Sequence, residues 1–88
     1  RDLKNNLLLD VRTFDEQPRL YKLPTINIPL QELEASFQQM ADADTIIVFC
    51  QSGSRSLAAA KKLSNVFPGK KVVSITGGIS QLKEEYLK

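Results

Sequence analysis

The 88-residue chain contains no histidine, no tryptophan and a single cysteine. Without histidine there is no Ser-His-Asp or Cys-His catalysis, no imidazole acid or base, and no histidine-ligated metal. One cysteine excludes an internal disulfide, a C-x-x-C redox pair and a multi-cysteine zinc site, and points to a reducing, cytoplasmic setting. No apolar run is long enough to span a bilayer, and the polar start RDLKNN is not a signal peptide. Surplus charge is also scarce: 12 Lys and Arg face 10 Asp and Glu, a formal balance of +2. The lysine doublets Lys61-Lys62 and Lys70-Lys71 are separated by apolar residues and form no basic tract. Neither nucleic acid nor a membrane is therefore an expected partner, and no metal or cofactor is expected. Any chemistry must run on thiol, carboxylate, arginine, lysine, hydroxyl or backbone.

Length and an apolar content of 42% fit one small domain over residues 1–88 with a modest core. The chain begins without methionine and enters an apolar run within a few residues, so the expectation is a domain excised from a longer protein. Three runs, Leu7 to Val11, Thr45 to Phe49 and Lys71 to Ile75, are nearly continuous in apolar residues. That is the pattern of strands buried on both faces, as in parallel sheets. A fourth, Thr25 to Ile28, is β-branched and closed by Pro29. Between them, Leu30, Leu33, Phe37 and Met40 recur at helical spacing, as do Ala59, Ala60, Leu63, Val66 and Phe67 before Pro68-Gly69. A terminal helix is expected from Ser80 to Lys88. Strand and helix alternate, which predicts an α/β fold with a mainly parallel central sheet and helices on both faces.

In such a sheet the loops leaving the carboxyl ends of the strands share one edge, where ligands bind. Asp10-Val11-Arg12, Cys50 to Arg55 and Thr76-Gly77-Gly78 all follow strand ends and are expected to meet there. A cysteine ending an apolar strand is commonly a packing residue. Here its setting argues for reactivity: a helix beginning near Ser54 to Ser56 aims free N–H groups and a positive dipole end at the loop. Gly53 lets the backbone curl into an anion nest, Arg55 adds a fixed charge, and Ser52, Ser54 and Ser56 offer hydroxyls. Together these favour a thiolate, the reactive form of cysteine. Neither nucleotide-binding glycine pattern is present.

The segments LLLDVRTFDE, INIPLQELE, IIVFCQSGSRSLAAAKKL and VVSITGGISQLKEE, in this order, resemble the rhodanese (sulfurtransferase) domain over almost the whole chain. The resemblance implies that Cys50 carries a sulfane sulfur as a persulfide and passes it to a nucleophilic acceptor. It implies that Gln51, Ser52, Gly53, Ser54 and Arg55 form the cradle, chiefly through their N–H groups. Asp10 and Arg12 match the family's D-x-R, for which a structural ion pair or capping role is expected, and Gly77-Gly78 match its closing glycines, expected in a left-handed turn. Asp15 and Glu16 are expected at the surface. Two departures stand out: the usual G-H-I-P-G segment is replaced by residues Lys22 to Pro29, and Leu82 stands where tryptophan is common.

The expected donors are thiosulfate, for which Arg55 is the fixed charge, or a protein persulfide. A sulfur-carrier protein is a further expected partner, because the cysteine loop and the Ile-Asn-Ile-Pro-Leu segment look like the C-terminal rhodanese domains of adenylyltransferases that serve molybdopterin or thiamine synthesis. Two other readings stand beside this one. Rhodanese-like domains also serve as non-catalytic binding or regulatory modules, which commonly lack the cysteine. A cysteine phosphatase would carry C-x-x-x-x-x-R, usually after histidine, whereas the Cys50–Arg55 loop is one residue shorter and follows Phe49.

Overall fold

The computed structural model describes residues 6–19 and 25–82. Strands β1 (Asn6–Asp10), β2 (Thr25–Asn27), β3 (Thr45–Phe49) and β4 (Lys71–Ser74) form one sheet in the order β2-β1-β3-β4, with every pair parallel. The interior strands β1 and β3 are those with the most continuous apolar sequence, as burial on both faces demands. The edge strand β2 is short and followed by Pro29, which cannot donate to a ladder. Its pairing extends one step further through the Ile28 N–H to the Asp10 carbonyl, 2.9 Å.

Alternation along the strands sorts the side chains. Leu9, Val11, Ile46 and Val48 belong to one buried cluster with Ala59 and Leu63 of α1 (Ser54–Val66), and with Leu33 and Met40 from the β2–β3 crossover. Phe49, next along β3 and so on the other face, is fully buried outside that cluster, as is Ile79. The fold is thus α/β with an all-parallel sheet and helices, as the alternation of strand and helix patterns predicts.

Two details differ from the periodicity. The pattern from Leu30 to Met40 predicts one α-helix, but the chain forms two 3-10 helices, Leu30–Glu32 and Glu34–Met40. Entry through Pro29 supplies no side-chain cap, the N–H groups of Glu32, Leu33 and Ser36 bond three residues back, and the Ser36 hydroxyl takes the Glu32 carbonyl. Apolar residues spaced by three or four suit either helix type, so the pattern does not separate them. Val66, expected on the buried stripe of α1, is exposed. Phe67 takes the place at that end, packing edge-on against Phe37 with ring centroids 6.1 Å apart. Of the expected terminal helix, the described part is a 3-10 turn, Gly78–Gln81; residues 83–88 lie outside the described residues, as do residues 22–24 of the replaced segment.

The register sets the site. Asp10 lies opposite both Asn27 and Phe49, and Val48 opposite Ser74. The carboxyl ends of all four strands are therefore nearly level, and the loops that follow β1, β3 and β4 leave from one edge.

Candidate active site

Helix α1 begins at Ser54 with Gly53 before it in a left-handed conformation (φ 107°), and no side chain caps its first turn. The acceptor in that place is the cysteine. Cys50 Sγ receives hydrogen bonds from the N–H of Gly53 (3.0 Å) and of Ser56 (3.3 Å), so the sulfur sits where a capping oxygen normally would. The residue is fully buried. Burial pushes the thiol up, but the Ser56 N–H, the Ser56 hydroxyl and the N–H groups of Gly53 and Ser52 outweigh it, leaving the thiol below its ordinary value. Of the N–H groups expected in the cradle, Gly53's reaches the sulfur directly. Ser56, noted in the sequence only for its hydroxyl, supplies the second, because the third residue of a helix turns its free N–H back toward the cap.

Asp10 and Arg12 form the expected ion pair, both buried. Asp10 accepts from the Arg12 backbone N–H (3.0 Å), from Nε (3.0 Å) and from Nη2 (2.9 Å). The guanidinium then reaches outward, donating to Gln51 Oε1 (3.2 Å) and to the Pro18 carbonyl (2.8 Å), and lies 5.8 Å from the centre of the Phe49 ring. It thereby ties the loop after β1 to the cysteine loop. Asn27 at the end of β2 secures the same turn, donating to the Asp10 and Arg12 carbonyls at 2.8 and 3.0 Å and accepting from Arg19. Nothing in the local sequence marks Asn27; its role follows from the register that sets it beside Asp10.

Arg55 does not stand as a free charge. It forms a two-pronged pair with Glu16, Nη1 to Oε2 at 2.7 Å and Nη2 to Oε1 at 2.9 Å. Glu16, expected at the surface, is half-buried because this pairing and the Thr13 N–H and hydroxyl draw it inward, whereas Asp15 is exposed. The Arg55 hydrogen bonds chiefly, with those of Thr13, hold the Glu16 carboxyl at about 2 against the opposing effect of burial. The same pairing raises Arg55 further above its ordinary value.

The loop after β4 closes the site. Gly77 and Gly78 adopt φ of 87° and 80°, the expected left-handed turn. Gly78 has a second reason to be glycine: a Cβ there would lie 2.2 Å from the Gln51 carbonyl oxygen. The Ile79 N–H donates to the Cys50 carbonyl at 2.8 Å, so this turn braces the floor of the loop. Beside it lies a cavity of about 330 Å³ lined by Ser52, Gly53, Ser54, Leu57, Ser74, Thr76 and Gly77. The described residues contain no cluster of three or more His, Cys, Asp or Glu side chains that could hold a metal ion, and no helix long and apolar enough to cross a membrane.

A parallel sheet with a helix-capping cysteine at its carboxyl edge defines a class, and the sequence comparison names it: the rhodanese-like domain model matches residues 1–85, and the chain belongs to that family. A Bacillus subtilis strain 168 protein, provisionally named the sulfur carrier protein YrkF, is 36% identical over 70 residues, 70% of this chain; the chain spans only 38% of that relative's length. A rhodanese-like domain protein from Staphylococcus aureus superposes with a TM-score of 0.78 at 24% identity, over 97% of this chain and 81% of its own. An NAD-dependent persulfide reductase from A. fulgidus superposes with a TM-score of 0.72 at 31% identity, over 91% of this chain and 14% of its own. These findings support a function related to sulfur transfer.

Proposed function

We propose that this domain is a sulfurtransferase that carries a sulfane sulfur as a persulfide on Cys50. The observation that carries the reading is the sulfur's position as the acceptor of two helix N-terminal N–H bonds, with the thiol lowered despite burial. The Cys50 thiolate attacks the outer sulfur of a donor. A bond forms between the two sulfurs, the donor's own bond to that sulfur breaks, and the electron pair leaves with the remainder, sulfite when the donor is thiosulfate. An external nucleophile then attacks the outer sulfur and the Cys50 thiolate departs. The oriented N–H groups stabilise the anionic sulfur in both states, as they would an oxyanion.

The acceptor has to be external, because the chain has one cysteine. The relatives named as a sulfur carrier and as a persulfide reductase support sulfur-carrying chemistry, and a thiol or a protein partner would serve as acceptor. The Arg55–Glu16 pairing bears on the donor. With its charge compensated, Arg55 attracts a dianion less than a free arginine would, which favours a protein persulfide over thiosulfate. Such a protein-fed domain suits a larger protein that activates a sulfur carrier. The four residues between Cys50 and Arg55 make a loop suited to one sulfur atom rather than a tetrahedral phosphate.

Intact-protein mass spectrometry tests this. Wild type is expected to gain one sulfur atom, removable by thiol, from a cysteine desulfurase and more slowly from thiosulfate, whereas Cys50→Ser gains none. No gain from either donor overturns the reading and leaves a binding module. Release of phosphate from an aryl phosphate, blocked by vanadate, would reassign the loop to a phosphatase.

A further inference from the structure

The Cys50 thiol has no imidazole beside it, and the structure shows what stands in its place. Behind the cysteine loop, Ser56 Oγ lies 3.0 Å from the Gly53 carbonyl oxygen and 2.8 Å from Ser74 Oγ on β4. Ser56 is fully buried, and its hydroxyl contributes to lowering the Cys50 thiol. A serine hydroxyl has one hydrogen to give and two lone pairs to receive. If Ser56 spent its hydrogen on Ser74, the Gly53 carbonyl would not receive it. The Gly53 carbonyl also accepts from the Leu57 N–H at 3.1 Å, so the Ser56 hydroxyl and the first turn of α1 grip the same peptide.

We infer that Ser74 is a positioning residue for the cysteine: its hydroxyl donates to Ser56 Oγ and so keeps the Ser56 hydrogen on the Gly53 carbonyl, which holds in place the two residues whose N–H groups reach the Cys50 sulfur. Hydrogen bonds in a chain strengthen one another, so a Ser56 hydroxyl that accepts from Ser74 is a better donor to the Gly53 carbonyl, and the firmer bridge keeps the Gly53 and Ser56 N–H groups at 3.0 and 3.3 Å from the sulfur. Among the described residues, the charged groups around the loop are Arg55 from α1, bound to Glu16, and Arg12 and Arg19, both paired with Asp10 at the end of β1. The end of β4 adds only neutral residues, Ser74, Ile75 and Thr76. Ser74 thus acts through hydrogen-bond direction and not through charge. Ser74 stands 18 residues from Ser56, on the edge strand β4, three residues before the Gly77-Gly78 pair.

The inference rests on Cys50 being the nucleophile, and thiol alkylation tests it separately from sulfur transfer. Threonine and valine at position 74 have the same shape and differ in the hydroxyl, and both suit a strand. The pH profile of Cys50 alkylation by iodoacetamide is measured for wild type, Ser74→Val and Ser74→Thr, with circular dichroism to check folding. For Ser74→Val the midpoint is expected to rise by about half to one pH unit, slowing alkylation roughly three- to tenfold below the midpoint. Ser74→Thr is expected to stay within about 0.2 unit of wild type, the size of a small reorientation. Because Ser74 lines the cavity, Ser74→Ala leaves room for a water that restores part of the shift, and it replaces Ser74→Val if that variant does not fold. Coincident profiles for wild type and Ser74→Val, or Ser74→Ala in its place, overturn the inference. A shifted profile in a protein that never loads sulfur would uphold Ser74 and overturn the proposed function instead.

Discussion

At the scale of single residues, the cysteine's environment bears on the pH at which the proposed chemistry would run. The thiolate is the reacting form, and its N–H partners hold the thiol below its usual value. The rate of the proposed sulfur loading is therefore expected to rise with pH and level off at a lower pH than the reaction of an unperturbed cysteine. Stopped mass-spectrometric time courses across pH would show this; a plateau at a higher pH than that reaction's would mean burial outweighs the N–H bonds. Glu16 carries a second prediction. Its carboxyl titrates at about 2 in the fold and at 4.5 when unperturbed. A lowered carboxyl contributes stability that is complete above the unfolded value and lost as pH falls through the folded one. The stability difference between wild type and Glu16→Gln is thus expected near neutral pH and should shrink as pH falls below about 5 toward 2. The pair is about one-third exposed, at 35% and 26% for its side chains. Solvent screening keeps that difference to about 1 kcal/mol or less, measurable by urea titration at several pH values.

At the scale of elements, the strands were legible in the sequence to within a residue because β-branched, continuous apolar runs leave few alternatives. Thr45 to Phe49 is β3 as expected, and the start of α1 falls within the expected span, since left-handed Gly53 turns the chain into the helix and alanines favour it. The crossover between β2 and β3 was legible only as helical, because its spacing fits both 3-10 and α geometry. Gly78 illustrates what an element cannot show alone. Its positive φ follows from the turn, but its approach to the Gln51 carbonyl depends on two loops packed across the sheet edge. Gly78→Ala is expected to cost about 2–4 kcal/mol, combining backbone strain with that clash. Denaturant midpoints would measure it. A substitution costing less than about 1 kcal/mol would mean the loop shifts freely.

At the scale of the whole molecule, a chain this short has few core residues to lose. Leu33, fully buried between the sheet and its covering segments, is expected to cost about 2–5 kcal/mol on truncation to alanine, much of what a small domain possesses. Thermal unfolding followed by circular dichroism should show a markedly lower midpoint. The proposed persulfide adds a prediction at this scale: the sequence has one cysteine and so no second thiol beside it, and loss of the bound sulfur is expected to rise in rate with added thiol or cyanide, followed by intact-protein mass spectrometry.

The sequence by itself determined the fold class, the family and the place of the one cysteine at a strand-to-helix loop, because each rests on local order: apolar period, glycine placement and a short loop between strand and helix. The tertiary structure alone decided which partners surround that residue. Glu16 meets Arg55 across 39 positions, Arg12 meets Gln51 across 39, and Ser74 meets Ser56 across 18. Those meetings depend on strand register and on loops that share one edge of a parallel sheet, and pairings between such distant positions leave no periodic trace in a single chain.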